Sequence, residues 1–390
     1  MKRVAILGST GTIGRNTLDV IRHHRDHFRV TALAAGSNIR LLEEQVREFR
    51  PEIVSLEKKT DADIFRKRFK KKSFRVLCGP EGAMEIGRNR SGDIIVSAIT
   101  GINGLLPTLA AVRAGKTVAL ANKESMVVAG PLLREEARTS GAQIIPVDSE
   151  HSGVFQCLAG ENRRHAKKVT LTASGGPFFR TSLSELKKKT VEETLNHPRW
   201  KMGKKVTVDS ATLMNKGLEL IEARWLFDLE PDELDILIHP QSVVHALVEM
   251  RDGSVLAQLS PTDMKFPIQF ALTYPQRRDA VLPSLELARI GALEFFPVEA
   301  KRFPLIGLAY WALREGESAS VALNAANEVA VESFLARQIG FLAISDVVHR
   351  AVDGHKKTKI RSLDDILEVD RLTRERTRQI IQQRYSKVST

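Results

Sequence analysis

The chain has 390 residues, more than one ordinary hydrophobic core requires, and its 43% hydrophobic and 27% charged residues are typical of a globular protein. No apolar run approaches the roughly 18 residues that would cross a membrane, and the apolar segment from Val4 to Leu7 is too short for a secretory signal. The two cysteines are too few for a disulfide framework or a thiolate metal site. We therefore expect a cytoplasmic protein without a membrane partner.

The 59 basic and 47 acidic residues give a net charge of +12, which suits either nucleic acid or small anionic substrates. The densest basic run, residues 66–75, interleaves with Phe65, Phe69 and Phe74 at near-helical spacing. Such spacing predicts that the rings face a core while the lysines are solvated. We expect no nucleic-acid partner, and a basic binding protein with a vestigial nucleotide fold stays as an alternative.

Residues 1–147 alternate apolar strands with helices, beginning with RVAILG, GRNTLDVIRHH, FRVTALAAG, IRLLEEQVREF and EIVSLE. Further candidate strands are FRVLCG, DIIVSAI, TVALAN and AQIIPV. This alternation predicts a parallel sheet with helices on both faces. The predicted fold class is α/β, with an N-terminal Rossmann-like domain.

Residues 148–274 predict a central α/β domain with some antiparallel strands and one long helix over residues 211–227. Within it, the polar loop 196–205 carries Trp200 and Met202, which predicts either a lid over substrate or an anchor of the loop on its own domain. Residues 275–304 contain spaced prolines and read as a linker. Residues 305–390 predict a C-terminal helical bundle.

A glycine-rich turn, with Gly8, Gly11 and Gly14, lies between the first strand and the first helix. Backbone at such a turn can approach a pyrophosphate at the helix N-terminus, although the glycine spacing differs from the usual dinucleotide motif. The second strand ends without an acidic residue for a ribose hydroxyl, which favours NADP. Ser37 and Asn38 could donate to a 2′-phosphate, while Arg40 is either a charge for that phosphate or a solvated helix residue.

Two carboxylates, Asp148 and Glu150, directly follow the apolar segment AQIIPV. In an extended segment they would share a face, with Ser149 opposite, and converging carboxylates suit Mg²⁺ or Mn²⁺. The alternative is a helix N-cap. Glu219 on the long helix is the candidate for a third carboxylate, unless it forms only a surface pair with Lys216.

Polar side chains suited to an anion follow the strand KVTLTAS and lie around the long helix. Ser hydroxyls, an amide and an ammonium near a helix N-terminus would bind a phosphate group, although each alone is better explained as a turn or cap. These candidates are Ser174, Ser210, Asn215 and Lys216. Lys123 follows another strand at its carboxyl end, where doubly wound folds bind ligands; otherwise it is a surface lysine.

The motifs GSTGTIG, ALANKES, VDSEH, SGGPF, HPRWKMG, VDSATLMNKGLE and ALNAANEVAV together resemble the 1-deoxy-D-xylulose 5-phosphate reductoisomerase family, in the family's order and over nearly the whole chain. The resemblance implies an NADPH-dependent oxidoreductase that converts this phosphorylated sugar to 2-C-methyl-D-erythritol 4-phosphate in non-mevalonate isoprenoid biosynthesis. It also implies a homodimer, Mg²⁺ or Mn²⁺ (Co²⁺ is a further option) as metal, and a catalytic and dimerisation role for residues 148–274.

The resemblance further implies roles for individual residues. The metal ligands would be Asp148, Glu150 and Glu219. Catalytic roles would fall to Lys123, Glu150, His197 and Glu219. Substrate contacts would come from Lys123, Ser149, Glu150, Ser174, His197, Trp200, Met202, Ser210, Asn215, Lys216 and Glu219. Cofactor contacts would come from Thr10, Gly11, Thr12, Ile13, Gly36, Ser37, Asn38, Asn122, Glu124 and Gly203.

Two positions depart from the family pattern, since Ser37 replaces a basic residue of some members and Thr12 replaces Ser. Two further alternatives stay open. One is an NADP-dependent dehydrogenase acting on a small phosphorylated substrate without skeletal rearrangement. The other is a metal site in RHHRDH, where His23 or His24 could pair with His27.

Overall fold

A computed structural model describes residues 1–69, 74–200 and 202–385 of the chain. They divide into two compact units. The first unit comprises Met1–Ser125, Leu133–Ser152 and Asp263–Ser284, and the second comprises Met126–Leu132, Gly153–Thr262 and the residues from Leu285 onward. Within these described ranges, no helix combines the length and apolar character that a membrane crossing needs.

The strands are β1 Lys2–Leu7, β2 Phe28–Ala35, β3 Ile53–Leu56, β4 Arg75–Cys78, β5 Ile94–Ser97, β6 Thr117–Leu120, β7 Gln143–Pro146, β8 Ala166–Ala173, β9 Leu234–Ile238, β10 Val244–Met250, β11 Val255–Leu259 and β12 Phe296–Pro297. The α-helices are α1 Thr12–His23, α2 Ile39–Phe49, α3 Lys59–Arg68, α4 Gly79–Gly87, α5 Leu105–Arg113, α6 Lys123–Ser140, α7 Ser149–Cys157, α8 Leu183–Leu186, α9 Val191–Leu195, α10 Lys204–Ala211, α11 Met214–Phe227, α12 Lys265–Thr273, α13 Leu287–Ile290, α14 Pro304–Glu315, α15 Glu317–Leu335, α16 Phe341–Asp353 and α17 Leu363–Tyr385.

The first unit contains a seven-stranded sheet in the order β4-β3-β2-β1-β5-β6-β7, and the pairs along it are parallel. The strands are short and apolar, and residues such as Val4, Ile6 and Val96 are fully buried, as expected for a sheet covered on both faces. The chain order reverses between β1 and β5, which creates the switch point where ligands of such sheets bind. The α/β fold with a Rossmann-like sheet is thus confirmed.

The aromatic residues of the basic segment pack as the sequence predicts. The ring of Phe65 is fully buried and stacks on that of Phe69, with centroids 4.8 Å apart. The ring of Phe74 meets Phe69 edge-on at 5.3 Å. Residues 70–73 of the segment lie outside the described ranges. The phenylalanines therefore anchor α3 on the core.

The second unit contains a five-stranded sheet in the order β11-β10-β8-β9-β12. As predicted, β10 and β11 are antiparallel and are joined by a short turn in which Gly253 has a φ of +89°. The structure differs from a simple linker over residues 275–304, because Phe296 and Pro297 pair with β9 and extend this sheet. A strand of only two residues, in a segment with spaced prolines, is too short to show a period of alternating apolar residues, so the sequence could not predict it.

The long helix predicted over residues 211–227 is confirmed for Met214–Phe227, which form α11, but it begins three residues later than predicted. Helix α10 ends at Ala211 and α11 begins at Met214. Between them Leu213 has a φ of +61°, in the left-handed region that a continuous helix of L-residues does not adopt. The break gives α11 its own N-terminus, with Asn215 and Lys216 in the first turn.

The C-terminal helices pack around α15, most of whose residues are apolar or small. Such a helix is expected to be buried all round, and both Asn324 and Asn327 within it are fully buried. The helices from Pro304 onward belong to the same compact unit as the five-stranded sheet. The division into domains at residues 147, 274 and 304 stays a prediction.

Candidate active site

The turn after β1 is built for close approach of backbone atoms. Gly8 has a φ of +89°, and a Cβ there would lie 2.5 Å from the carbonyl oxygen of Ala98. A Cβ on Gly14 would lie 2.3 Å from the carbonyl oxygen of Gly8. Only glycine fits at these two positions without a backbone shift. Helix α1 begins next, with no acidic residue in its first turn, so its free N–H groups can meet an anion.

Four candidate cofactor residues, Thr10, Gly11, Thr12 and Ile13, form this turn and the start of α1. Three more, Gly36, Ser37 and Asn38, follow β2, the neighbour of β1 in the sheet. Parallel neighbours end at the same edge of a sheet, so the two groups share one edge of the first unit.

The polar residues after β2 have distinct roles. The side chain of Asn38 caps α2 by accepting a hydrogen bond from the backbone N–H of Leu41 at 3.1 Å. The Arg40 side chain is 92% exposed, with Glu44 3.5 Å away on the same helix. This geometry matches the reading of Arg40 as a solvated helix residue, and the Ser37 side chain is exposed beside it.

The segment after β6 is buried rather than exposed. Asn122 caps α6 through its side-chain oxygen, and its amide donates to the carbonyl oxygen of Gly101 at 3.0 Å and to Glu124 at 3.1 Å. The ammonium of Lys123 lies 2.5 Å from a carboxylate oxygen of Asp148, and both side chains are at least 85% buried. The surface-lysine alternative is therefore wrong, and the structure joins two candidate residues that the sequence treated separately.

The extended geometry expected for Asp148 and Glu150 is wrong. Helix α7 begins at Ser149, so Glu150 lies in its first turn. Ser149 does not point away from Glu150 but donates a hydrogen bond to its carboxylate at 2.7 Å. The apolar strand β7 ends at Pro146, and the acidic residues that follow suit a helix start, as in the N-cap alternative.

The first turns of α11 hold a buried polar cluster. Lys216 donates a short hydrogen bond to the Glu219 carboxylate, and the Asn215 amide donates to the same carboxylate at 2.5 Å. The Lys216 and Glu219 side chains are 3% and 2% exposed. The surface-pair alternative is therefore wrong, because both side chains are buried. Burying two charges costs free energy unless they pair with each other.

Ser174 and His197 form a second polar contact in the same unit. The Nδ1 of His197 accepts hydrogen bonds from the backbone N–H groups of Arg199 at 3.1 Å and Trp200 at 2.9 Å. Nδ1 therefore carries no proton, and the Nε2–H donates to the Ser174 hydroxyl at 3.0 Å. Burial lowers the pKa of His197 to about 4, so the imidazole is neutral near pH 7.

The Ser174 hydroxyl also accepts from the backbone N–H of Gly176 at 3.2 Å. With two bonds accepted, the hydroxyl proton remains available to donate to a ligand. A Cβ on Gly176 would lie 2.5 Å from the carbonyl oxygen of Ser210, so this loop packs directly on the end of α10. Ser210 thus lies at the C-terminal end of α10. The sequence had suggested that it lies at the start of a helix.

In the loop 196–205, described except for Lys201, Trp200 and Met202 are half-buried. The Trp200 ring lies 6.5 Å from that of His245, and the Arg199 guanidinium donates to the carbonyl oxygen of Pro240 at 3.2 Å. The loop thus contacts its own unit, in the manner of the anchor alternative. Gly203 precedes α10 in this unit, apart in the chain from the other cofactor candidates.

The predicted carboxylates are divided between the units, with Asp148 and Glu150 in the first and Glu219 in the second. The histidines of RHHRDH behave differently from one another, since His24 is buried while His23 is exposed. Over residues 1–69, 74–200 and 202–385, none of them joins a group of three side chains suited to holding a metal.

Three family models match the chain. They describe 1-deoxy-D-xylulose 5-phosphate reductoisomerase over residues 4–130, the C-terminal domain of this reductoisomerase over residues 144–227, and a DXP reductoisomerase C-terminal domain over residues 259–376. A reductoisomerase of this name from Thermodesulfovibrio yellowstonii is 49% identical over 95% of the chain and 97% of its own length. The enzyme from Prosthecochloris aestuarii is 48% identical over 96% of the chain and 98% of its own length. The chain belongs to the 1-deoxy-D-xylulose 5-phosphate reductoisomerase family.

Solved structures of this family match nearly the whole chain. A crystal structure of DOX-P reductoisomerase in complex with NADPH, fosmidomycin and magnesium covers 98% of both chains with a TM-score of 0.92 and 39% identity. The reductoisomerase from Zymomonas mobilis in complex with NADPH covers 97% of this chain and 99% of its own, with a TM-score of 0.91 and 38% identity. The resemblance found in the motifs and the class of NADP-dependent oxidoreductase are confirmed.

The sequence missed several buried polar residues of this reductoisomerase fold. Glu222, one turn after Glu219, is fully buried, and so is His151 in α7. Asp209 and Asn327 are fully buried and bonded to each other. The motifs VDSATLMNKGLE and ALNAANEVAV contain Asp209 and Asn327, but periodicity alone does not distinguish a buried acid or amide from an exposed one.

Proposed function

We propose that this chain converts 1-deoxy-D-xylulose 5-phosphate to 2-C-methyl-D-erythritol 4-phosphate, using NADPH and a divalent metal such as Mg²⁺. Membership of the family and the ligands of its solved members, NADPH and magnesium, support this activity. The observation that carries it in this chain is the buried polar cluster of the second unit. A reaction on a phosphorylated sugar explains why this unit buries Lys216 and Ser210 and partly buries Ser174, His197 and Asn215.

The donor chemistry of Asp148, Glu150 and Glu219 fits a hard divalent cation, since all three offer carboxylate oxygens. Asp148 and Glu219 each lie against an ammonium group, from Lys123 and Lys216 respectively. When bound, the metal would polarise the substrate carbonyl, and NADPH would supply the hydride for reduction.

In our proposal the phosphate of the substrate is held by Ser174, Ser210, Asn215 and Lys216. The Lys216 ammonium supplies charge, the Asn215 amide and the free Ser174 proton supply hydrogen bonds, and the nearby N-terminus of α11 favours an anion. His197 is neutral and fixes the Ser174 hydroxyl. Binding energy from this remote group orients the reacting carbons.

We further assign Lys123, with Ser149 and Glu150, to the reacting end of the substrate. The buried Lys123 ammonium would stabilise negative charge that develops on the substrate oxygens. Trp200 and Met202 of the loop 196–205 would cover the substrate and exclude water.

The nucleotide is assigned to the first unit. The turn Thr10–Ile13 and the N-terminus of α1 would hold the pyrophosphate. Gly36, Ser37 and Asn38 would face the 2′-phosphate. Asn122 and Glu124 would lie towards the nicotinamide, and Gly203 would be a further contact.

A cytoplasmic homodimer is the proposed state of the molecule. Strand β11 lies at the edge of the five-stranded sheet, where Val255 is 56% and Leu256 is 38% exposed. An apolar edge strand is a suitable surface for a second copy. Light scattering on the purified protein measures its molar mass in solution and so tests whether it is a dimer.

The activity is tested by following NADPH oxidation with 1-deoxy-D-xylulose 5-phosphate, with and without a chelator. We expect oxidation that stops with chelator and returns when Mg²⁺ is added in excess. Analysis of the product's carbon skeleton decides the alternative, because a simple dehydrogenase would leave the skeleton unbranched. Oxidation that continues in chelator, or an unbranched product, would contradict the proposal.

A further inference from the structure

The residue before Ser210 is a buried acid in an unfavourable place. Asp209 is fully buried in the last turn of α10, where the helix dipole disfavours negative charge. Burying a carboxylate costs free energy unless partners compensate it. We therefore expect that Asp209, next to the proposed phosphate-binding Ser210, has partners that compensate its charge and fix its position.

Two partners hold the Asp209 carboxylate from different sides. The Lys205 ammonium, one turn earlier on α10, lies 2.8 Å from one carboxylate oxygen. The Asn327 amide, from the middle of α15, donates to the other oxygen at 2.8 Å. Asn327 is itself fully buried. The contact thus ties the end of α10 to α15, a largely buried helix of the second unit.

The backbone at this end of α10 is fixed to the same point. The carbonyl oxygen of Asp209 accepts from the Thr212 hydroxyl at 3.2 Å, and that hydroxyl accepts from the backbone N–H of Met214 at 3.4 Å. The chain then turns at Leu213 and starts α11. A shift of Asp209 would therefore move both Ser210 and the first turn of α11, which carries Asn215 and Lys216.

We propose that Asp209 and Asn327 are positioning residues for the phosphate seat, which we define as Ser174, Ser210, Asn215 and Lys216. They act without touching substrate: the Asn327–Asp209 hydrogen bond sets where α10 ends, and so sets the spacing between Ser210 and the α11 N-terminus. This inference rests on the proposed function, because it uses the assignment of the phosphate to that seat.

The test is Asn327→Ala, with Asn324→Ala as a matched control. Asn324 is the same residue type, equally buried in the same helix, but its amide donates to Glu328 at 3.0 Å instead of to α10. We expect Asn327→Ala to raise the KM for the sugar phosphate and the inhibition constant of inorganic phosphate by about tenfold each, as for a lost charge-assisted hydrogen bond. The KM for NADPH should change less than twofold.

Asn324→Ala should leave the inhibition constant of phosphate unchanged, even if both variants lose similar stability in urea. Equal effects of the two variants on phosphate would overturn the proposal, as would an unchanged constant in Asn327→Ala. If the wild-type protein does not turn over the sugar phosphate, the proposed function fails instead, which separates the two outcomes.

If Asn327→Ala does not fold, a pair of variants that exchanges the amide and the carboxylate between positions 327 and 209 tests the same proposal. Asn327→Asp sets two carboxylates against each other, and Asp209→Asn added to it restores one amide and one carboxylate at nearly constant volume. We expect the double variant to recover most of the phosphate affinity lost in Asn327→Asp. A double variant as weak as the single one would contradict a positioning role for this pair.

Discussion

The nucleotide end of the first unit and the phosphate seat of the second both bind phosphate in our proposal, but they are built differently. The turn after β1 uses backbone: two glycines that admit no Cβ and the free N–H groups of α1. The phosphate seat uses buried side chains whose positions depend on one another. A site built from backbone is sensitive to any side-chain atom added where the backbone is close-packed. A site built from side chains is sensitive instead to the loss of a hydrogen-bond partner.

The largest effect is expected for Glu219→Gln in the second unit. Loss of the carboxylate removes a proposed metal ligand and leaves Lys216 without its charged partner, so kcat should fall by about a thousandfold or more. NADPH binding, assigned to the other unit, should stay nearly unchanged in a fluorescence titration. Equal loss of turnover and NADPH affinity would contradict the separation of the two sites.

Gly14→Ala tests the backbone site. The new Cβ would lie 2.3 Å from the Gly8 carbonyl oxygen, so the turn must shift, with a stability loss of about 1–3 kcal/mol and a clear rise in the KM for NADPH. Gly11→Ala is the control for packing, because its Cβ would have 3.3 Å to the same oxygen. Urea unfolding should show the smaller loss for Gly11→Ala; the reverse order would refute the steric account.

The neutral state of His197 predicts a pH-dependent stability. Burial lowers its pKa to about 4 from 6.5, so the unfolded chain binds a proton between these values and the folded chain does not. Stability is therefore full above about pH 6.5 and is lost as pH falls towards 4. Thermal unfolding of wild type and His197→Gln across this window should show a steeper loss in wild type. Parallel curves would mean that the imidazole titrates normally.

The smallest effect is expected for Ser37→Arg, which adds charge at an exposed position beside the proposed 2′-phosphate. An exposed ion pair is worth about 1 kcal/mol at most, so the KM for NADPH should fall by no more than about fivefold. The KM for NADH should not change, because it has no 2′-phosphate. An equal change with both nucleotides would place residue 37 away from that phosphate.

The sequence predicted the first unit well because its signals are local. Short apolar strands alternate with helices, and glycines such as Gly8 and Gly14 mark the turn that needs them. The extended geometry expected at Asp148 and Glu150 was wrong because only two residues separate the end of β7 from the start of α7 there. Alternation of apolar residues does not specify where that change occurs.

The second unit was harder to predict because its key features are tertiary. Residues 211–227 keep a helical periodicity through Leu213, so no local signal marks the break between α10 and α11. Lys216 and Glu219 lie off the apolar stripe of α11, and the sequence could not show that neighbours cover that face too. The Asn327–Asp209 contact joins residues 118 positions apart, which only the fold brings together.

The hydrogen-bond pattern at Ser174 has a consequence for the kind of ligand that the second unit selects. Its oxygen already accepts from His197 and Gly176, so it can only give its proton outward. A ligand atom facing it must therefore offer a lone pair. In our proposal the Lys216 ammonium belongs to the same phosphate seat, so the doubly ionised phosphate ester is preferred over its singly protonated form, and affinity for the ester should fall as the pH drops below the ester's second pKa of about 6.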